Sequence, residues 1–112
     1  MHLVHTIPTG TDYYASIHGI FFDVAAGGSS ENSFIASLKP EEKNPTVDRI
    51  ELTSLIKGLQ KNHIYGYNGS LSYPPCTENY EYVLYDEPQP ISPQQLKYFT
   101  DRWAGNSSFA NG

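Results

Sequence analysis

Aromatic and β-branched residues gather in four stretches of the chain: 1–7, Tyr13 to Val24, Ile64 to Ser70 and Tyr80 to Asp86. Such residues fit a pleated, half-buried surface, so all four read as strands. Between the first two, Pro8-Thr9-Gly10-Thr11-Asp12 carries the composition of a turn, and Glu87-Pro88-Gln89-Pro90 is expected to break the fourth. A different period governs the rest. Phe34, Ile35 and Leu38 share one face of a short helix over 31–38 that Ser30 can cap. Leu52, Leu55, Ile56 and Leu59 fit helical spacing within Ile50 to Leu59, although a loop with short turns fits that stretch nearly as well.

The last helix is the best marked. Ser92 stands as N-cap, Pro93 at the first helical position and Gln95 three residues after the cap. Leu96, Phe99 and Trp103 follow at i, i+3, i+7, a stripe expected to pack into a core. The expected class is mostly β with a few short helices.

Size and charge narrow the function classes. With 112 residues the chain suits one domain, and neither internal repeats nor low-complexity tracts divide it. Seven Lys and Arg against twelve Asp and Glu, with no basic cluster, argue against nucleic-acid binding. No apolar run reaches the ~18 residues of a membrane span, and no signal peptide opens the chain. One cysteine, Cys76, excludes an internal disulfide framework. Met1-His2-Leu3-Val4-His5 reads as the interior of a strand, which points to a fragment of a larger domain.

Candidate chemistry is sparse. His2 and His5 lie three apart on one strand and face opposite sides, so they cannot both serve one ion. His18 and His63 are the other histidines, and each by itself reads as structural or surface. Ser72 lacks the Gly-x-Ser-x-Gly surroundings of a hydrolase nucleophile, and Glu78 reads as a hydrogen-bond acceptor beside Pro74-Pro75. Those two prolines cannot continue a central strand and hold the preceding residues stiffly. Asn68-Gly69-Ser70 and Asn106-Ser107-Ser108 match the glycosylation acceptor pattern. The first is expected to be poorly accessible within its strand.

The run Tyr67-Asn68-Gly69-Ser70-Leu71-Ser72-Tyr73-Pro74-Pro75-Cys76-Thr77-Glu78 resembles the Gly-Ser-Leu-Thr-Thr-Pro-Pro-Cys signature of the α-type carbonic anhydrases. Four further stretches resemble the same family in its order: 1–5, 16–24, 80–84 and 91–96. The resemblance implies residues 1–112 as a single truncated domain, with part of a twisted, mainly antiparallel sheet and a helix near 93–103. It implies a zinc lyase that interconverts CO2 and bicarbonate. His2 would be one metal ligand, with His5 structural on the other face. Ser72 falls where the family has a threonine that accepts the proton of zinc-bound hydroxide. Val4, Ile17, Leu71, Tyr73 and Tyr82 fall at positions of the substrate pocket, with Tyr73 and Ile17 narrowing it.

The same resemblance implies what is missing. The family's His-x-His pair, the glutamate partner of the threonine and the shuttle histidine would lie upstream. Cys76 matches a cysteine that bridges to an amino-terminal one in extracellular relatives. One histidine cannot hold catalytic zinc, since such sites use three protein ligands. The chain alone is therefore expected to be inactive and poorly stable. The alternative is a carbonic-anhydrase-like binding module that has lost zinc.

Overall fold

A computed structural model describes residues 1–9, 12–26, 30–60 and 63–103. Four strands, β1 (His2–Thr9), β2 (Asp12–Asp23), β3 (Ile64–Gly69) and β4 (Tyr80–Pro90), form one sheet in the order β1-β2-β4-β3. Three short helices complete the described elements: α1 (Ser33–Ser37), α2 (Leu52–Leu59) and α3 (Pro93–Trp103). The mostly β class with a few short helices, and a helix ending at residue 103, is what the sequence predicts. The pairings β1–β2 and β3–β4 are both antiparallel, with His2 opposite Gly19, Val4 opposite Ile17 and Tyr67 opposite Tyr82. Two compact units result: residues 1–21 with 61–88, and residues 22–60 with those from 89 onward.

Two strands run further than their prolines suggest. β1 includes Pro8 instead of ending before it, and β1 is an outer strand of the sheet, where a missing ladder donor is tolerated. β4 continues through Glu87-Pro88-Gln89-Pro90, where a break is expected from sequence. Asp86 donates its N–H to the carbonyl of His63, on the β3 side. Backbone donors alternate sides along a strand, so the nitrogens of Pro88 and Pro90 face that side too. The pairing of β3 with β4 ends at Tyr85, so neither proline nitrogen falls within that ladder.

In the first unit the core is small. Ala15, Ile17 and Tyr82 are buried on one face of the sheet and Ile20 on the other. Ile17 and Ile20, both essentially inaccessible, each contribute about 1.5–3 kcal/mol of burial. Val4, Ile64, Tyr65 and Tyr67 remain half exposed or more, so much apolar surface of the strands has no cover within the described residues.

The second unit is organised by a polar network. Ser92 Oγ accepts from the Gln95 N–H at 3.2 Å, and Gln95 Oε1 accepts in return from the Ser92 N–H at 3.3 Å, the reciprocal cap read from the sequence. Gln95, which is buried, also pairs twice with the backbone of Asn32, each at 2.8 Å. Asn32 caps α1 through its own Oδ1, which accepts from Ile35 N–H at 3.1 Å, and donates to the Pro90 carbonyl. The cap is therefore Asn32 and not Ser30, because only Asn32 is held in place by Gln95 and Pro90. Phe34, Ile35 and Leu55 are buried where α1 and α2 pack, while Leu52 and Ile56 stay exposed. The expected stripe on α3 is not core. Leu96 and Trp103 are about 40% exposed, and the Trp103 ring stacks on Phe99 with centroids 5.5 Å apart. The face of α3 that is buried is the polar one carrying Gln95.

Candidate active site

Three separate segments of the first unit converge on one recess. β1 brings His2, β4 brings Tyr82, and the connection after β3 brings Ser70, Leu71 and Ser72. The recess measures about 390 Å³.

The connection is shaped by its own backbone. Leu71 N–H donates to the Thr77 carbonyl at 2.9 Å, closing a loop, and Cys76 N–H donates to the Tyr73 carbonyl at 2.9 Å. Between these last two, the Pro74–Pro75 bond is cis, the arrangement of a turn with cis-proline at its third position. Cys76 and Asn79 then take left-handed backbone conformations, at φ 55° and 70°, that turn the chain into β4. Ser72 thus stands one residue past the point where the loop is fastened.

Tyr82 supports the recess from below. It is buried, stacks on Tyr67 with centroids 5.0 Å apart at 9°, and meets the His2 ring edge-on at 5.9 Å. Its hydroxyl donates to the Ser70 carbonyl at 2.6 Å. Burial, with the nearby Tyr67 and Tyr73 phenols, pushes the Tyr82 pKa up, so it remains a donor. Gly69 makes this packing possible: a Cβ there would lie 3.2 Å from both the Tyr67 and Tyr82 rings. Partial burial, then the positive amino terminus next to it, lowers the His2 pKa. That favours the neutral imidazole, the form that can bind a metal.

The other singled-out residues are placed differently. Ile17 is buried beside Val4, on the His2 side of the sheet, but neither borders the recess, and Val4 is half exposed. Tyr73 is 58% exposed and also stands outside it. His5 lies on the opposite face, edge-on to His18 at 4.9 Å. His18 in turn shares a 2.9 Å hydrogen bond with the Tyr85 hydroxyl. Cys76 is an exposed free thiol. Among the described residues no three His, Cys, Asp or Glu side chains come together as a metal-binding group. Sequence reasoning overlooked Tyr67, whose ring both lines the recess and backs Tyr82; its place within the signature run was the available signal.

The family pattern of the eukaryotic-type carbonic anhydrases matches residues 9–109. The chain belongs to that family. His2 and Val4 precede the matched range; Ile17, Leu71, Ser72, Tyr73 and Tyr82 fall inside it. A Caenorhabditis elegans protein named "Putative carbonic anhydrase 3" is 31% identical over 104 residues, covering 88% of this chain and 41% of the relative. Among solved structures, the α carbonic anhydrase of Aspergillus oryzae superposes with a TM-score of 0.69 at 22% identity, over 85% of this chain and 42% of that one. A halotolerant carbonic anhydrase of Dunaliella salina gives a TM-score of 0.69 at 21% identity, over 97% and 44%. The chain therefore spans less than half the length of the relatives it matches. No described helix is long and apolar enough to cross a membrane.

Proposed function

We propose that these residues form part of a zinc-dependent site for the reversible hydration of CO2 to bicarbonate. One observation carries the reading: His2, Leu71, Ser72 and Tyr82, drawn from three segments, border a single recess. In it His2 would supply one ligand to zinc, and zinc, when bound, would provide a hydroxide nucleophile at neutral pH. Ser72 offers a hydroxyl that both donates and accepts and can orient a neighbouring oxygen. Leu71 offers apolar contact to a nonpolar gas molecule. Val4, Ile17 and Tyr73 would belong to the outer wall of that pocket.

The donor set of this chain does not by itself fit a catalytic zinc. Such a site needs three protein ligands, His2 provides one, and His5 is on the wrong face. Two donors must come from residues other than these 112, and Cys76 would pair with a cysteine from the same source. We therefore propose that residues 1–112 are one truncated domain whose activity needs further residues.

Two measurements test this. The purified 112-residue chain should hold no stoichiometric zinc and show no CO2 hydration above buffer; zinc bound one-to-one with turnover would refute the incomplete-site reading. The coding sequence upstream of Met1 should specify a His-x-His strand, and zinc content of the longer product should be lost in His2→Ala. Other residues in place of that His-x-His would count against the enzyme reading.

A further inference from the structure

The Asn68-Gly69-Ser70 pattern is expected from sequence to be shielded by its strand. The structure places it in the open. β3 is an outer strand of the sheet, and Asn68 and Ser70 are both exposed. Neither the Asn68 carboxamide nor the Ser70 hydroxyl has a side-chain hydrogen bond to a described residue; only the Ser70 carbonyl is engaged, by Tyr82. Residues two apart on an extended chain project to the same side, so the hydroxyl and the carboxamide lie together, as a glycosylation acceptor needs.

We infer that Asn68 is an acceptor for N-linked glycosylation. Beside it lies a second recess, about 360 Å³, bordered by Asn68, Ser70, Glu78 and Asn79. Its carboxylate and carboxamide offer acceptors and donors to the hydroxyls of a first sugar. The two recesses meet at Gly69 and Ser70, which border both, but the Asn68 side chain itself turns away from the other one. Asn68 pairs with Glu81 and Tyr67 with Tyr82, and successive side chains alternate faces. A glycan on Asn68 therefore stands on the face opposite Tyr67, Tyr82 and His2.

The donor is a lipid-diphosphate-linked oligosaccharide. Asn68 Nδ2 forms a bond to the anomeric carbon, the bond from that carbon to the diphosphate oxygen breaks, and the amide proton passes to base. The lipid diphosphate leaves with the electron pair, and nothing is oxidised or reduced.

The test sends the full 112-residue chain through the secretory pathway of a eukaryotic host and maps secreted material by mass spectrometry after amidase release of glycans. The expected result is conversion of Asn68 to Asp on release. Asn68→Gln and Ser70→Ala should both lose the modification almost completely, and Ser70→Thr should keep it. Both losses are read on the peptide and do not depend on the variants folding. Secreted wild-type chain bare at Asn68, whatever the state of Asn106, would overturn the inference. So would a glycan on Asn68 that survives Ser70→Ala.

Discussion

The hydroxyl of Tyr82 donates a 2.6 Å hydrogen bond to the carbonyl of Ser70, two residues before Ser72. That bond ties the buried residue near the start of β4 to the loop that presents Ser72, while the Tyr82 ring stacks on Tyr67. Hydroxyl and ring can be separated by mutation. Tyr82→Phe should keep the stack and lose the bond, at about 0.5–1.5 kcal/mol, because the exposed Ser70 carbonyl can turn to water. Tyr82→Ala removes the ring as well and should cost about 3 kcal/mol or more. Urea unfolding of the three proteins measures both steps. Equal losses in Phe and Ala would show that the hydroxyl, and not the ring, carries the stability.

In the second unit the equivalent anchor is Gln95. Its side chain accepts from Asn32 N–H and Ser92 N–H and donates to the Asn32 carbonyl, all from a buried position. Gln95→Ala leaves these three backbone groups without their partner, and one orphaned buried group already costs about 1–3 kcal/mol. The expected loss is at least about 2 kcal/mol. Gln95→Glu keeps both acceptor contacts but loses the donor and adds a buried charge. It should be no better than Ala at pH 7 and should recover on acidification, when the carboxyl regains a proton to donate. Thermal melts at pH 7 and pH 4.5 decide it; a glutamate variant as stable as wild type at pH 7 would rule out the donor's role.

Much of this frame was legible in the chain, for local reasons. Ser92, Pro93 and Gln95 encode a cap within four residues, and the signature run 67–78 encodes the loop. What escaped was set by distant partners. Asn32 displaced Ser30 as the cap of α1 because Gln95 and Pro90 hold it. Pro88 and Pro90 sit in β4 because β3 stops pairing at Tyr85. The α3 stripe has correct helical spacing, yet periodicity reports only that one face is apolar. It does not report which face is covered, and here Gln95 is inside while Leu96 and Trp103 are out. Of the residues that border the recess, the loop was singled out through the signature run and His2 through the stretch 1–5, whereas Tyr67 was passed over although it lies in that run.

His18, like His2, is a group whose titration should register in stability. Burial lowers its pKa below the usual 6.5, the proximity of His5 lowers it further, and Glu81 partly offsets both. Ser16 and Tyr85 complete its surroundings. Below pH 6.5 the unfolded chain binds a proton that the folded chain resists, so stability falls as pH drops from 6.5 to the folded pKa and then levels. A proton NMR titration should place His18 below 6.5, and His5→Ala should move it upward. A His18 midpoint at or above 6.5, or one indifferent to His5, would contradict this placement.

Gly58 sets two opposed effects of known size against each other. It lies inside α2, where glycine costs about 0.8–1 kcal/mol relative to alanine. On helix propensity alone, Gly58→Ala should stabilise. But a Cβ at this position would run into the buried Gln89 side chain, meeting Oε1 and Cδ. Overpacking of this kind costs about 1–3 kcal/mol, which is larger than the helix gain. Gly58→Ala should therefore destabilise the native protein, by up to about 2 kcal/mol once the two are combined. Removing the obstacle reverses the sign: in a Gln89→Ala background the same substitution should stabilise. A double-mutant cycle by chemical denaturation measures the coupling directly. If Gly58→Ala stabilises in both backgrounds, Gln89 does not press on α2; if it destabilises in both, the obstacle is the packing around α2 and not this side chain.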